Sequence, residues 1–132
     1  MLDRKYLKTQ KQGLYEITDE VKDSVAKSGI KDGLCIVHCP HSDAGVLITS
    51  FWDPLGHEDI IDDFDRIMPS KINYKFEGDP VKASAHSKSA IAGVSLDLII
   101  SDGELKLGSS QGIFFAEYLE GAEREYLISC IE

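Results

Sequence analysis

The chain has 132 residues and a mass of 14.6 kDa, which is one domain with no space for a second. Hydrophobic residues at 42% and charged residues at 28% exclude disorder, collagen and a disulfide mini-scaffold, and no apolar run nears the ~18 residues of a membrane span. With 14 basic and 23 acidic side chains, the net charge of −9 disfavours nucleic acid and anionic membrane surfaces but leaves a small anion open as a ligand.

Residues 2–9 read as a first strand with poor alternation. The opening Met1-Leu2-Asp3-Arg4-Lys5 carries no secretion signal, so the expected compartment is the cytoplasm. Ile17-Thr18-Asp19-Glu20 opens a helix, with Thr18 as N-cap and two acids in the positively polarised first turn. Ile17, Val21 and Val25 form its apolar stripe, and Gly29 ends it. Residues 33–39 are expected as a strand buried on both faces, stopped by Pro40 and followed by a second strand at 45–51. Cys35, Cys39 and Cys130, an odd count, read as reduced thiols. Cys35 and Cys39 would lie about 13 Å apart along a strand, beyond disulfide reach.

A second helix is expected over 56–68, with Ile60, Ile61, Phe64, Ile67 and Met68 on its apolar side. Its five acids, Glu58, Asp59, Asp62, Asp63 and Asp65, cover the polar face of an amphipathic helix rather than a metal site. Residues 70–83 form the longest loop, with a turn at Gly78-Asp79-Pro80, and 84–92 form a third helix. Residues 94–101 and 104–107 pair across Asp102-Gly103, a type I′ signal, and 111–119 with 124–131 make a second hairpin across Gly121. The class is therefore α+β: a single domain, mostly antiparallel sheet, covered by two or three helices.

Among the four histidines, His38 in its apolar run reads as a hydrogen-bonded core residue and His57 as solvated. His41 follows the Pro40 strand stop, beside Ser42 and Asp43, on the kind of tight loop where reactive groups are placed. Neighbouring His-Ser-Asp cannot form a relay triad, so a structural role for His41 stays open. His86 and Lys88 could share an anion only at a helix N-terminus, where backbone N–H groups point outward. Gly108-Ser109-Ser110-Gln111-Gly112 can present N–H donors to an anion but lacks the lysine and spacing of a P-loop. Glu117, in the apolar run Ile113–Tyr118, either points outward or sits in a pocket with a raised pKa.

Taken in order, these segments resemble the YjbQ-like family of secondary thiamine-phosphate synthase enzymes. Pro40-His41-Ser42-Asp43-Ala44-Gly45 stands where the family has Pro-His-Thr-Thr-Ala-Gly, and Ala85-His86-Ser87-Lys88 matches Ala-His-x-Lys. Asp102-Gly103-Glu104-Leu105-Lys106-Leu107-Gly108-Ser109-Ser110-Gln111-Gly112-Ile113 echoes its Asn-Gly-x-Leu-x-Leu-Gly-Thr-Trp-Gln-x-Ile, with Glu117 following. The departures are Thr49-Ser50 for Asn-Glu, Phe76 for a loop histidine, Ser110 for the Trp, and Gly121-Ala122-Glu123 for Gly-Pro-Arg, with Arg124 adjacent.

The resemblance implies a low-activity enzyme acting on small phosphorylated substrates, like the family's joining of a pyrimidine pyrophosphate to a thiazole phosphate. It makes His41 and His86 acid/base or ligand groups, with Glu117 orienting a histidine, all three converging in one pocket. Ser42, Lys88, Gly108, Ser109 and Gln111 would hold phosphate oxygens. Any divalent metal would sit weakly on His41 and His86, because two imidazoles fall short of the three or four ligands of a stable site. The other readings are a non-catalytic scaffold that binds a small anion or metal, and a metal-assisted hydrolase. A homotrimer is implied too, and Ile113, Phe114, Phe115, Tyr118, Tyr126, Leu127 and Ile128 are more apolar side chains than one sheet face should bury.

Overall fold

Alternating burial along Leu2–Lys8 makes this segment a strand, β1, with every second side chain turned inward. The computed structural model describes residues 2–71, 73–76 and 78–132. After β1 come β2 (Gly13–Glu16), α1 (Thr18–Ser28), β3 (Gly33–His38), β4 (Ala44–Ser50), α2 (Pro54–Ile67), α3 (Pro80–Ala92), β5 (Ser95–Ser101), β6 (Glu104–Leu105), β7 (Gln111–Glu117) and β8 (Glu123–Ile131). The strands pair antiparallel in two sheets, ordered β1-β8-β3-β5-β6 and β2-β7-β4. The class is α+β, and the helices number three among the described residues. No helix there is long and apolar enough to cross a membrane.

The core lies between the sheets. Val37 of β3, Ile100 of β5 and Ile128 of β8 pack with Val46 of β4 and with Ile113 and Phe115 of β7, and α1 adds Ile17, Val21 and Val25. Fully burying a side chain of this size contributes about 1.5–3 kcal/mol. On the other side of the smaller sheet, Ala85 of α3 meets Ala116 and Tyr118, with Phe64 of α2 packed against them. β7 is thus apolar on both faces. The outer face of the larger sheet leaves Leu34, Ile99 and Ile131, register partners across β5, β3 and β8, exposed side by side.

Several sequence expectations change. β7 and β8 form no hairpin: they belong to different sheets, and Gly121, at φ 136°, turns the corner between them. A Cβ there would lie 2.8 Å from backbone atoms of Thr9 and Gln10, so the corner needs glycine. Residues 33–39 are not buried on both faces. Cys35 and Val37 point in while Leu34, Ile36 and His38 point out. Thr18 is the first helical residue rather than the cap, and its hydroxyl accepts from the Ile113 N–H at 2.9 Å.

α2 begins two residues earlier than expected, capped by Asp53 ahead of Pro54, and Ile67 on its supposed apolar side is 72% exposed. α3 begins four residues earlier, because Asp79 accepts from the Val81 and Lys82 N–H groups and Pro80 opens the helix. The expected 70–83 loop shortens accordingly, and its Ile72 and Glu77 lie outside the described residues. All three cysteines are free and buried, as read. Burial raises the Cys39 thiol to about 11, and burial with the neighbouring Cys130 raises Cys35 to about 12. Of the seven apolar residues held to exceed one sheet face, every one but Leu127 is buried, because two sheets and three helices share them.

Candidate functional site

Pro40 has no N–H to extend a ladder, and the β3–β8 register ends with His38 opposite Leu127. β8 nevertheless continues along β1 as far as Glu123. Beyond the end of β3 the Glu125 N–H meets no strand carbonyl, and donates instead to Nε2 of His41 at 3.0 Å. The His41 ring also stands edge-on to Phe115, with centroids 6.4 Å apart and planes at 82°. A ring nitrogen that accepts is unprotonated, so neutral His41 carries its proton on Nδ1.

His86 projects from the exposed side of α3 toward the same loop. With His38, Pro40, His41, Ser42 and Ser89 it lines a cavity of about 620 Å³. Ser89 closes the floor by donating to the Ala44 carbonyl at 2.7 Å, which ties α3 to the start of β4. Three of the four histidines thus face one space, and among the described residues no acidic side chain lines it, in a chain with 23 acids. His38 is the residue that the sequence reading misplaced. It is half-buried on the outward row of β3, its Nδ1 3.4 Å from the Ser95 hydroxyl, and the alternation of Cys35 and Val37 was the signal for this. His57, expected in solvent, instead hydrogen-bonds the Ser50 carbonyl through Nε2 at 2.6 Å and packs on Phe114.

Glu117 lies two residues beyond Phe115 on the inner face of β7, fully buried. Arg124, on the inner row of β8 with Tyr126 and Ile128, donates from Nε to Oε1 at 2.7 Å and from Nη2 to Oε2 at 2.5 Å. The Thr9 hydroxyl donates to Oε1 at 2.5 Å and the Leu119 N–H to Oε2 at 3.1 Å. Burial alone would raise the carboxyl pKa. The Arg124, Thr9 and Leu119 hydrogen bonds together with the guanidinium charge instead hold it below the ordinary 4.5. Neither sequence option for Glu117, outward-facing or raised in pKa, is what the fold adopts. The remaining Nη1 of Arg124 donates to Asp43 at 2.7 Å, two residues from His41. Glu117 therefore stands behind the histidines: it does not line their cavity, and it reaches the His41 loop through Arg124 and Asp43.

The expected phosphate-binding set divides. Ser42 lines the histidine cavity. Lys88 does not, because two helix positions turn it to α2, where it is buried with Nζ 2.5 Å from the Asp65 carboxylate. Gly108, Ser109 and Gln111 sit at the opposite end of β7, about 20 Å from Glu117 by strand rise, and the Gly108 N–H is taken by the Gln111 side chain at 2.7 Å. His86 is six residues past Pro80, so the α3 N-terminus plays no part.

Phe76, in place of the family's loop histidine, lies 6.3 Å from the His86 ring and offers no ligand. Among the described residues no three His, Cys, Asp or Glu side chains are arranged to hold an ion, and the Glu125 N–H already engages Nε2 of His41. These residues do not fit a metal centre.

Tyr118 sits under α3 with its ring edge-on to Phe64 and its hydroxyl buried without a hydrogen-bond partner among the described residues. Removing an unsatisfied buried hydroxyl relieves a desolvation penalty. Tyr118→Phe is therefore expected to leave the thermal midpoint unchanged or to raise it, by up to about 1 kcal/mol of stability. A calorimetric loss larger than that would show that the hydroxyl is bonded.

Comparison with known proteins places this geometry among relatives. Residues 4–132 match the family described as UPF0047 protein YjbQ-like. UPF0047 protein MJ1081 of Methanocaldococcus jannaschii is 36% identical over 133 residues, 99% of this chain and 94% of that protein. UPF0047 protein YugU of Bacillus subtilis is 35% identical over 89% of each. A solved YjbQ/UPF0047 structure from Clostridium acetobutylicum is similar at 37% identity, with a TM-score of 0.91 over 98% of this chain and 99% of that one. A YbjQ-like protein of Sulfolobus solfataricus gives 0.92 at 28% identity, over 98% and 95%.

Proposed function

The chain belongs to the UPF0047 YjbQ-like family, and on that premise we propose that its histidine cavity binds a small phosphorylated molecule. The observation that carries this reading is the gathering of His38, His41 and His86 around one cavity that no carboxylate lines among the described residues, on a chain of net charge −9. Imidazole N–H groups and the Ser42 hydroxyl are donors suited to phosphate oxygens. The chemistry is that of the family resemblance: a slow transfer joining a pyrimidine pyrophosphate to a thiazole phosphate. In it His41 donates a hydrogen bond from Nδ1, and the exposed His86 passes a proton to the leaving pyrophosphate.

Titration of labelled protein with inorganic pyrophosphate is expected to move the imidazole signals of His38, His41 and His86. His86→Ala should weaken binding about tenfold or more, which corresponds to about 1.4 kcal/mol. Unmoved imidazole signals at millimolar pyrophosphate would sink the reading. Binding without product from the two phosphorylated precursors would favour a non-catalytic anion-binding scaffold.

The same reading includes a homotrimer. Support comes from the exposed row Leu34, Ile99 and Ile131 on the larger sheet, since the aromatic residues of β7 are used up inside the chain. Sedimentation equilibrium is expected to give three times the 14.6 kDa chain mass. The chain mass alone across the micromolar range would exclude the trimer.

A further inference from the structure

We infer that Arg124, Asp43 and Glu117 are positioning residues that hold His41 as an Nδ1–H hydrogen-bond donor at the histidine cavity. Two adjacent residues of β8 grip the 41–43 loop in different ways. The Glu125 N–H occupies Nε2 of His41 at 3.0 Å, and the Arg124 guanidinium holds the Asp43 carboxylate at 2.7 Å. Arg124 is fixed from behind by two bonds to Glu117, which Thr9 and the Leu119 N–H lock in turn. The Thr9 hydroxyl also accepts from the Ala122 N–H at 2.9 Å, so the chain of contacts ends on backbone. A planar guanidinium with every nitrogen engaged has one orientation, and a loop tied to it at Asp43 inherits that orientation.

The consequence is chemical. With Nε2 accepting from backbone, His41 presents a proton and no lone pair to whatever enters the cavity. Its ligand must offer an acceptor oxygen at that point, and neutral His41 cannot serve as a base there. The inference goes beyond the proposed function, because it concerns the free protein and needs no ligand.

The test is long-range nitrogen–proton NMR of the imidazoles in the ligand-free chain at about pH 8, where unperturbed imidazoles are neutral. His41 is expected with Nδ1 protonated and Nε2 bare. Asp43→Asn keeps the shape of a partly exposed side chain, and should convert His41 alone to a tautomer mixture, leaving His38 and His86 unchanged. Arg124→Lys, which keeps the charge but not the fork, should do the same. A wild-type His41 protonated on Nε2, or an unchanged tautomer in Asp43→Asn, overturns the inference. Failure of pyrophosphate to bind would leave these signals in place and count against the proposed function only.

Discussion

Replacing Arg124 with methionine is expected to lower the unfolding free energy by about 3–5 kcal/mol near neutral pH, a large share of the roughly 5–15 kcal/mol of an ordinary domain. The loss does not measure the worth of the ion pair. It measures Glu117 left charged and fully buried, with only the Thr9 hydroxyl and the Leu119 N–H to solvate it. The pH dependence separates this from a packing defect. In the wild type the depressed Glu117 pKa contributes stability that is present above the ordinary 4.5 and is lost as the pH falls through the folded-state value. In the variant, burial dominates and raises that pKa, so the penalty is relieved as the carboxyl protonates. The gap between variant and wild type should therefore shrink from about pH 7 to about pH 4. Adding Glu117→Leu should recover most of the loss, because an apolar pair of similar volume removes the uncompensated charge. Urea denaturation of the three proteins decides: a pH-independent gap, or a double variant no better than the single, would show that the charge account is wrong.

Phe115→Ala is expected to cost about 3–5 kcal/mol as well, by a different route. The ring is fully buried where the two sheets meet, 6.2 Å from Tyr126 of the larger sheet and 6.4 Å from His41. Strands on both sides fix its neighbours, so the cavity left behind cannot collapse, and the cavity term adds to the lost transfer energy. Phe115→Leu should cost less, since it fills part of that volume. Chemical denaturation measures both. A loss under about 1 kcal/mol for the alanine variant would mean that this part of the core tolerates a void, contrary to its packing.

Sequence pattern carried the elements further than it carried their partners. The Ile17, Val21, Val25 stripe and Gly29 gave α1, and Asp102-Gly103, with φ of 53° and 77°, gave the β5–β6 turn. Each of these is a local signal, legible within one turn of chain. The corner at Gly121 uses the same residue type as a hairpin, and what distinguishes it is the Thr9–Gln10 backbone passing over it, more than a hundred residues away. Misreading that corner also hid the Glu117 partner, because Arg124 reaches the carboxylate only when β8 crosses to the other sheet. β2 leaves no sequence signal for a related reason: four residues are strand only because β7 offers an edge. Asp79-Pro80 is legible as a turn, yet an acidic cap followed by proline is also a helix start, and the fold uses it as one. In the site, His41 and His86 followed motif order, whereas the separation of Lys88 and Gln111 from them depends on helix phase and strand direction.

The Glu125 contact that orients His41 spans 84 positions, and among the described residues β1 has β8 as its one sheet neighbour. On a ribosome His41 and the first strand emerge long before residues 123–131 exist to receive them. Until then β1 waits as an unpaired edge, and the imidazole has no amide to define its proton. Such a chain acquires its site in one late event when β8 inserts between β1 and β3, rather than piece by piece. Chains stalled or clipped before Arg124 would keep α1, His41 and His86 yet lack the arrangement that gives those histidines separate roles.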